Sequence, residues 1–267
     1  MVNTFIMSGN TSDFTTKYSP SIILDSTKHY EAALMSIDLY NSIPNITDEN
    51  NIFSYSPDRG KTWFHISLDT GAYQLSAIND EIQRKMINNG HFDRSNNLPY
   101  ISITANISTL KSIIHITNIE YAIDFNFSFT IAPVLGFPTD TFLRGDSHEY
   151  TESPNIVDII KINSILVNVD IIMGSYVNGL NTSAIYSFYP NVSPGYKIVE
   201  RPIPSLIYYP VSRTEISSIR CWLTDQNGDP VDLRGERVTL RISIKEIKSV
   251  KDQVISAVKQ LKNENII

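Results

Sequence analysis

One cysteine, Cys221, in 267 residues leaves no partner for an internal disulfide and too few thiolates for a multi-cysteine zinc site. Charge is sparse too: Asp, Glu, Lys and Arg make up 19% of the chain, against 42% hydrophobic residues. That balance excludes intrinsic disorder and allows a sizeable core. No apolar run has the length of a bilayer-spanning helix; the densest stretch, Ile165 to Met173, is broken by Asn168 and Asp170. The opening residues, Met1-Val-Asn-Thr-Phe-Ile-Met-Ser8, lack the basic and long apolar regions of a secretory signal, so none is expected. Gly-x-Ser-x-Gly, Gly-x-x-x-x-Gly-Lys-Ser/Thr, His-Glu-x-x-His and Cys-x-x-Cys are all missing. A net charge of −6 argues against wrapping nucleic acid with the whole surface.

Ile and Asn, by contrast, supply roughly a quarter of the chain, and Tyr and Phe are plentiful while Ala is scarce. Ile, Tyr, Phe, Val and Thr suit pleated, half-buried strands; Asn, Ser, Gly and Pro suit turns. The charge is uneven. Residues 197–267 hold 12 basic against 9 acidic side chains, and residues 1–196 hold 10 against 19. A mildly basic end follows an acidic body.

Residues 1–20 are polar and broken by Pro20, and read as an N-terminal arm. Strands are expected at Ser21–Ser26 and Tyr30–Tyr40, the second with Ala33, Met35, Ile37 and Leu39 on one face. Asn51–Ser56 and Trp63–Leu68 flank Pro57-Asp-Arg-Gly60 as a hairpin. Leu75, Ile78, Ile82 and Met86 form one helical stripe over 75–88, stopped by Asn88-Asn89-Gly90. Further strands are expected near 100–107, 111–117, 122–129, 164–173, 183–188, 196–201, 206–209, 215–223 and 236–245, with a polar loop over 139–156. Asp225-Gln-Asn-Gly-Asp229 is a turn. Ile247, Val250, Val254, Val258 and Leu261 then change the period to that of an amphipathic helix over 247–262, within a C-terminal helix and tail of residues 247–267. Its stripe must find a partner: its own domain, a neighbouring subunit (a candidate assembly helix), or a nucleic-acid or membrane surface. Many short strands with few helices mean an antiparallel β-sandwich or barrel. Residues 21–246 would form it, elaborated by an insertion around 42–150.

Little chemistry is spelled out. His29, His65, His91, His115 and His148 are dispersed, and Cys221 sits beside Trp222 in a strand as a small hydrophobe. The acidic pairs Asp140/Asp146 and Asp229/Asp232 are turn residues that a hydrolase would have to bring across a cleft. Arg144-Gly145-Asp146, in the long polar loop, is a candidate receptor-binding tripeptide or a plain turn. Asn-x-Ser/Thr acceptors at Asn10, Asn45, Asn106, Asn126, Asn181 and Asn191 match the frequency of those residue types, and no glycosylation is expected.

Five blocks stand in a familiar order: His29 to Asn45, Thr70 to Ile82, Leu135-Gly-Phe137, Tyr209-Pro-Val-Ser-Arg213 with Ile219 to Gly228, and Gly235 to Ile244. In that order and spacing, over about residues 21–246, the chain resembles the minor capsid (penton) proteins of Polinton-type elements, adintoviruses and virophages. The resemblance implies a single jelly roll, five copies of which close an icosahedral vertex among double-jelly-roll major capsid proteins. It implies a virion location after synthesis in the host cytoplasm or nucleus, no catalysis and no cofactor. The dispersed histidines give no reason to expect a metal site, and the modest charge leaves at most a minor nucleic-acid contact. A receptor- or glycan-binding sandwich, like a spike or fibre head, is the alternative.

Overall fold

The computed structural model describes residues 2–145, 150–202 and 205–247. In chain order the strands are β1 (Val2–Gly9), β2 (Asp13–Ile23), β3 (His29–Tyr40), β4 (Ile52–Ser56) and β5 (Phe64–Ser67). Helix α1 (Leu75–Asn88) follows, then β6 (Phe92–Asp93), β7 (Leu98–Pro99), β8 (Ile101–Asn106), β9 (Lys111–Ile116), β10 (Ala122–Asp124), β11 (Phe142–Arg144) and β12 (Tyr150–Glu152). The chain continues through β13 (Ile165–Val169), β14 (Ser175–Val177), β15 (Leu180–Thr182), β16 (Ala184–Phe188), β17 (Lys197–Glu200), β18 (Tyr209–Pro210), β19 (Glu215–Thr224) and β20 (Val238–Ile247). Every pairing between named strands is antiparallel, which agrees with the mainly β expectation.

The chain divides into two units, residues 1–41 with 162–267, and residues 42–161. In the first, one sheet runs β1-β20-β3-β17, with β18 also on β3, and the other runs β16-β13-β19-β2. Numbered among themselves, these eight long strands stand in the orders 1-8-3-6 and 5-4-7-2, which is the jelly-roll order. The first and last strands pair residue for residue, from Val2↔Lys245 to Gly9↔Val238. Inward residues alternate with outward ones. Phe5, Met7, Ile37, Leu39, Val167, Ile219, Cys221, Leu240 and Ile242 are buried. Phe5 and Tyr18, from different sheets, meet edge to face with ring centroids 5.6 Å apart.

Residues 1–20 are therefore not an arm. They supply β1 and most of β2, and the jelly roll begins at Val2 rather than residue 21. Both are edge strands, and an edge strand needs apolar residues only on its inner face. The alternation in β3 is also corrected. Arg241 pairs with Ser36 but Ile242 pairs with Leu34, so Met35 is an extra, bulged residue and Leu34 takes the core position.

The second unit is an insertion between β3 and β13, bounded at Ser42 and Lys161 rather than near residue 150. It has a β11-β10-β4-β5 sheet, a β12-β9-β8 sheet, a β6-β7 hairpin and α1. The stripe Leu75, Ile78, Ile82 and Met86 is buried as expected, in a core with Phe53, Tyr55, Phe125, Leu135 and Phe137. Residues 153–161 belong to this unit because they bond to it: the Ser153 amide donates to Ser112 O and the Asp158 amide to Val134 O. Asn45 closes the two ends. Its side-chain amide donates to Tyr73 O at 2.7 Å and to Ile159 O at 3.0 Å, and its carbonyl accepts from the Tyr73 amide at 2.8 Å. Buried in this way, Asn45 is no glycan acceptor.

Candidate assembly and attachment surfaces

The Arg144-Gly145-Asp146 tripeptide begins on an edge. Arg144 ends β11, is exposed, and lays its guanidinium over Phe142, 5.0 Å from the ring centroid. The Gly145 amide donates to Tyr121 O at 3.0 Å, and a Cβ at that position would lie 2.3 Å from Asn118 O. Glycine is required there by close backbone approach, whatever the tripeptide recognises. Asp146 lies outside the described residues, as does His148. Phe142 also leans on Trp63, which meets Phe127; ring centroids are about 6 Å apart in both pairs. Beneath this aromatic cover the sheet carries buried Ser54, Ser56 and Ala122.

The other candidate surface is the end of the jelly roll where β20 finishes. Ile247, expected to head the helical stripe, is instead the last residue of β20, paired with His29. Val250, Val254, Val258 and Leu261 lie outside the described residues. Beside Ile247 opens a groove of about 800 Å³ lined by Lys28, His29, Met173, Val211 and Arg213. Met173 and Ile247 on its wall are exposed, as is Ile23, the strand partner of Glu215 in the lining. The β14-β15 hairpin, turned by Asn178 and Gly179 at positive φ, exposes Tyr176 and Leu180. Large apolar side chains left in water make this end a candidate contact surface.

The block Tyr209 to Arg213 serves this same end. The Val211 amide donates to Tyr30 O and the Ser212 amide to Ile171 O. Arg213 donates to Asp170 O at 2.6 Å and pairs with its carboxylate at 2.7 Å. The bonds tie the start of β3 to the chain after β13. The Asp225–Asp229 turn forms as read: the Asp225 carboxylate accepts from the Asn227 and Asp229 amides, and Gly228 has φ +94°. At the far edge, Arg220 forms a two-point ion pair with Asp13 and holds that carboxyl below the usual carboxylate range.

The groups that carry chemistry elsewhere are engaged structurally here. Cys221 is buried, and burial pushes its thiol up to about 12. His65 Nδ1 sits 2.7 Å from Ser54 Oγ, and His91 Nδ1 sits 2.8 Å from the Tyr55 hydroxyl. Asp229 and Asp232 belong to turns, the Asp232 carboxylate accepting from the Arg234 amide. Among the described residues no three His, Cys, Asp or Glu side chains converge on one point, and no helix is long and apolar enough to cross a membrane.

The tripeptide and the Tyr209–Arg213 block are legible in the sequence. The apolar hairpin is signalled only by Asn178-Gly179 between Tyr176 and Leu180, and the aromatic cover, assembled from three separate segments, has no local signal.

No family model matches the sequence, and no curated protein matches it. Among solved structures the chain is similar to the crystal structure of the selenomethionine-labelled mavirus penton protein, with 10% identity, 92% of this chain and 100% of that chain covered, and a TM-score of 0.48. It is also aligned with the D2–D3 domains of the flagellar cap protein FliD from Escherichia coli, with 12% identity, 92% and 100% of the two chains covered, and a TM-score of 0.14.

Proposed function

We propose that this chain is a structural virion protein, a penton subunit that closes five-fold vertices as a homopentamer. The observation that carries the reading is the jelly-roll strand order, found in a chain whose ordered blocks resemble penton proteins and fall on β3, α1, β19 and β20. A ring of identical subunits uses a heterologous interface: one flank of each copy meets the opposite flank of the next, and the rotation closes. The jelly roll offers two different flanks, edged by β1 and β2 on one side and by β17 and β16 on the other. Its exposed apolar end supplies anchors for adjoining capsomers. In this reading a double-jelly-roll major capsid protein is the principal partner, the virion is the location, and neither catalysis nor a cofactor is involved. The stripe Val250, Val254, Val258 and Leu261 acts as a tether, and Arg144 to Asp146 as an attachment loop.

The test is assembly. Light scattering and electron microscopy of the purified chain, alone and with a double-jelly-roll capsid protein, are expected to show pentamers or vertex incorporation. Deleting residues 248–267 is expected to leave a folded jelly roll and weaken that incorporation. A chain that stays monomeric and is never incorporated sinks the proposal and favours a solitary binding module; normal incorporation of the truncated chain sinks the tether.

A further inference from the structure

Within the insertion, one aromatic residue occupies a conformation that its packing does not explain. Phe129 has φ +61°, the left-handed region that a bulky side chain rarely adopts. Its backbone is clamped there. The Ile52 amide donates to Phe129 O, and the Ile131 amide donates to Ile52 O, both at 2.9 Å. Strain of that kind is ordinarily offset by burial, yet Phe129 is 58% exposed and makes no ring contact with another described residue. Phe127, two residues earlier, is by contrast packed on Trp63 and His65.

Phe129 stands on the wall of a groove of about 620 Å³. The remaining wall is mostly polar and uncharged, including Asn126, Ser128 and Thr139, whose side chains make no hydrogen bond to another described residue. Glu49 and Lys161 contribute one charge of each sign. An open aromatic face beside unengaged amide and hydroxyl groups has the chemistry that recognises a sugar ring. The apolar C–H face of a pyranose stacks on the aromatic ring, and its hydroxyls exchange hydrogen bonds with side chains that both donate and accept. The balanced charges disfavour a polyanion, which would need a cluster of cations.

We propose that this groove binds a neutral saccharide, with Phe129 as its stacking platform and Asn126, Ser128 and Thr139 as hydroxyl partners. The proposal goes beyond the vertex role and does not depend on it.

The experiment is saturation-transfer NMR on the full chain with the methyl glycosides of glucose, galactose, mannose and N-acetylglucosamine and their common disaccharides. At least one of these probes is expected to receive saturation on its C–H face. Phe129→Gly separates recognition from folding, because glycine relieves the left-handed strain. That variant is expected to melt at the same temperature or higher and to bind at least about tenfold more weakly, as loss of a stacking partner implies. Asn126→Ala is expected to weaken binding without changing the melt. The proposal is overturned if no probe receives saturation, or if Phe129→Gly binds like the parent. It is also overturned if Phe129→Gly lowers the melting temperature, which would make the ring structural, or dissociates an oligomer, which would make the groove a subunit contact.

Discussion

Gly145 separates packing from recognition in the Arg-Gly-Asp tripeptide. An added Cβ meets the Asn118 carbonyl oxygen, a backbone atom that moves only with its loop. Gly145→Ala is expected to destabilise the insertion by about 1–3 kcal/mol in urea unfolding, as overpacking does elsewhere. A receptor-binding assay on that variant therefore has to be read against its stability. His91 gives the insertion a pH dependence. Burial pushes its pKa below the ordinary 6.5, so the folded state favours the neutral ring beside the Tyr55 hydroxyl. The unfolded chain then binds more protons, and the stability held above about pH 6.5 is lost as the pH falls through the folded value. His91→Phe is expected to flatten that part of the stability profile, measured by urea unfolding between neutral and mildly acid pH. Asp58 acts further into acid. Hydrogen bonds from Thr62 pull its carboxyl down to about 2, so its contribution is lost as the pH falls from 3.8 through that value.

Element by element, the strands show what a single sequence reveals and what it conceals. The helix over 75–88 was legible because four apolar residues share one face and, apart from Ala77 and Ile87, the other residues are polar. Central strand β3 was legible as a strand, but its bulge at Met35 was not, because the extra residue is defined by its partners on β20. The first two strands were illegible for an energetic reason. Phe5 and Met7 are the only buried side chains described in β1, and the inward side of β2 is half-buried. Such edges carry a diluted pattern, and β2 adds a register shift that leaves Tyr18 to Ser21 opposite Ser217. Of the candidate surfaces, the tripeptide was readable because it is contiguous, whereas the groove beside Phe129 joins segments far apart in the chain. Deleting residues 2–12 tests the reassignment of the first strand. Removing Phe5 and Met7 alone forfeits about 3–6 kcal/mol of burial, comparable to the whole stability of many domains. The truncated chain is expected to lose its cooperative melt and become rapidly digestible by trypsin; an unchanged melt would restore the arm.

For the whole molecule, the insertion is expected to be an independent folding unit. It has its own core, and Asn45 joins its two ends. Residues 42–161 expressed alone should give a single cooperative thermal transition followed by circular dichroism, and a jelly roll carrying a short Gly/Ser linker in their place should give another. A molten or insoluble fragment would show that the core requires its host. The jelly roll itself has an opposite dependence on chain order. Its opening strand, β1, pairs along its full length with its closing strand, β20. While the nascent polypeptide is still being translated, the insertion can already have condensed, but the sandwich has an open seam until Ile247 clears the ribosomal exit tunnel. A truncated product left by termination before β20 exposes that seam and is a substrate for chaperones and proteases, so only chains extended through β20 present both finished flanks of the sandwich.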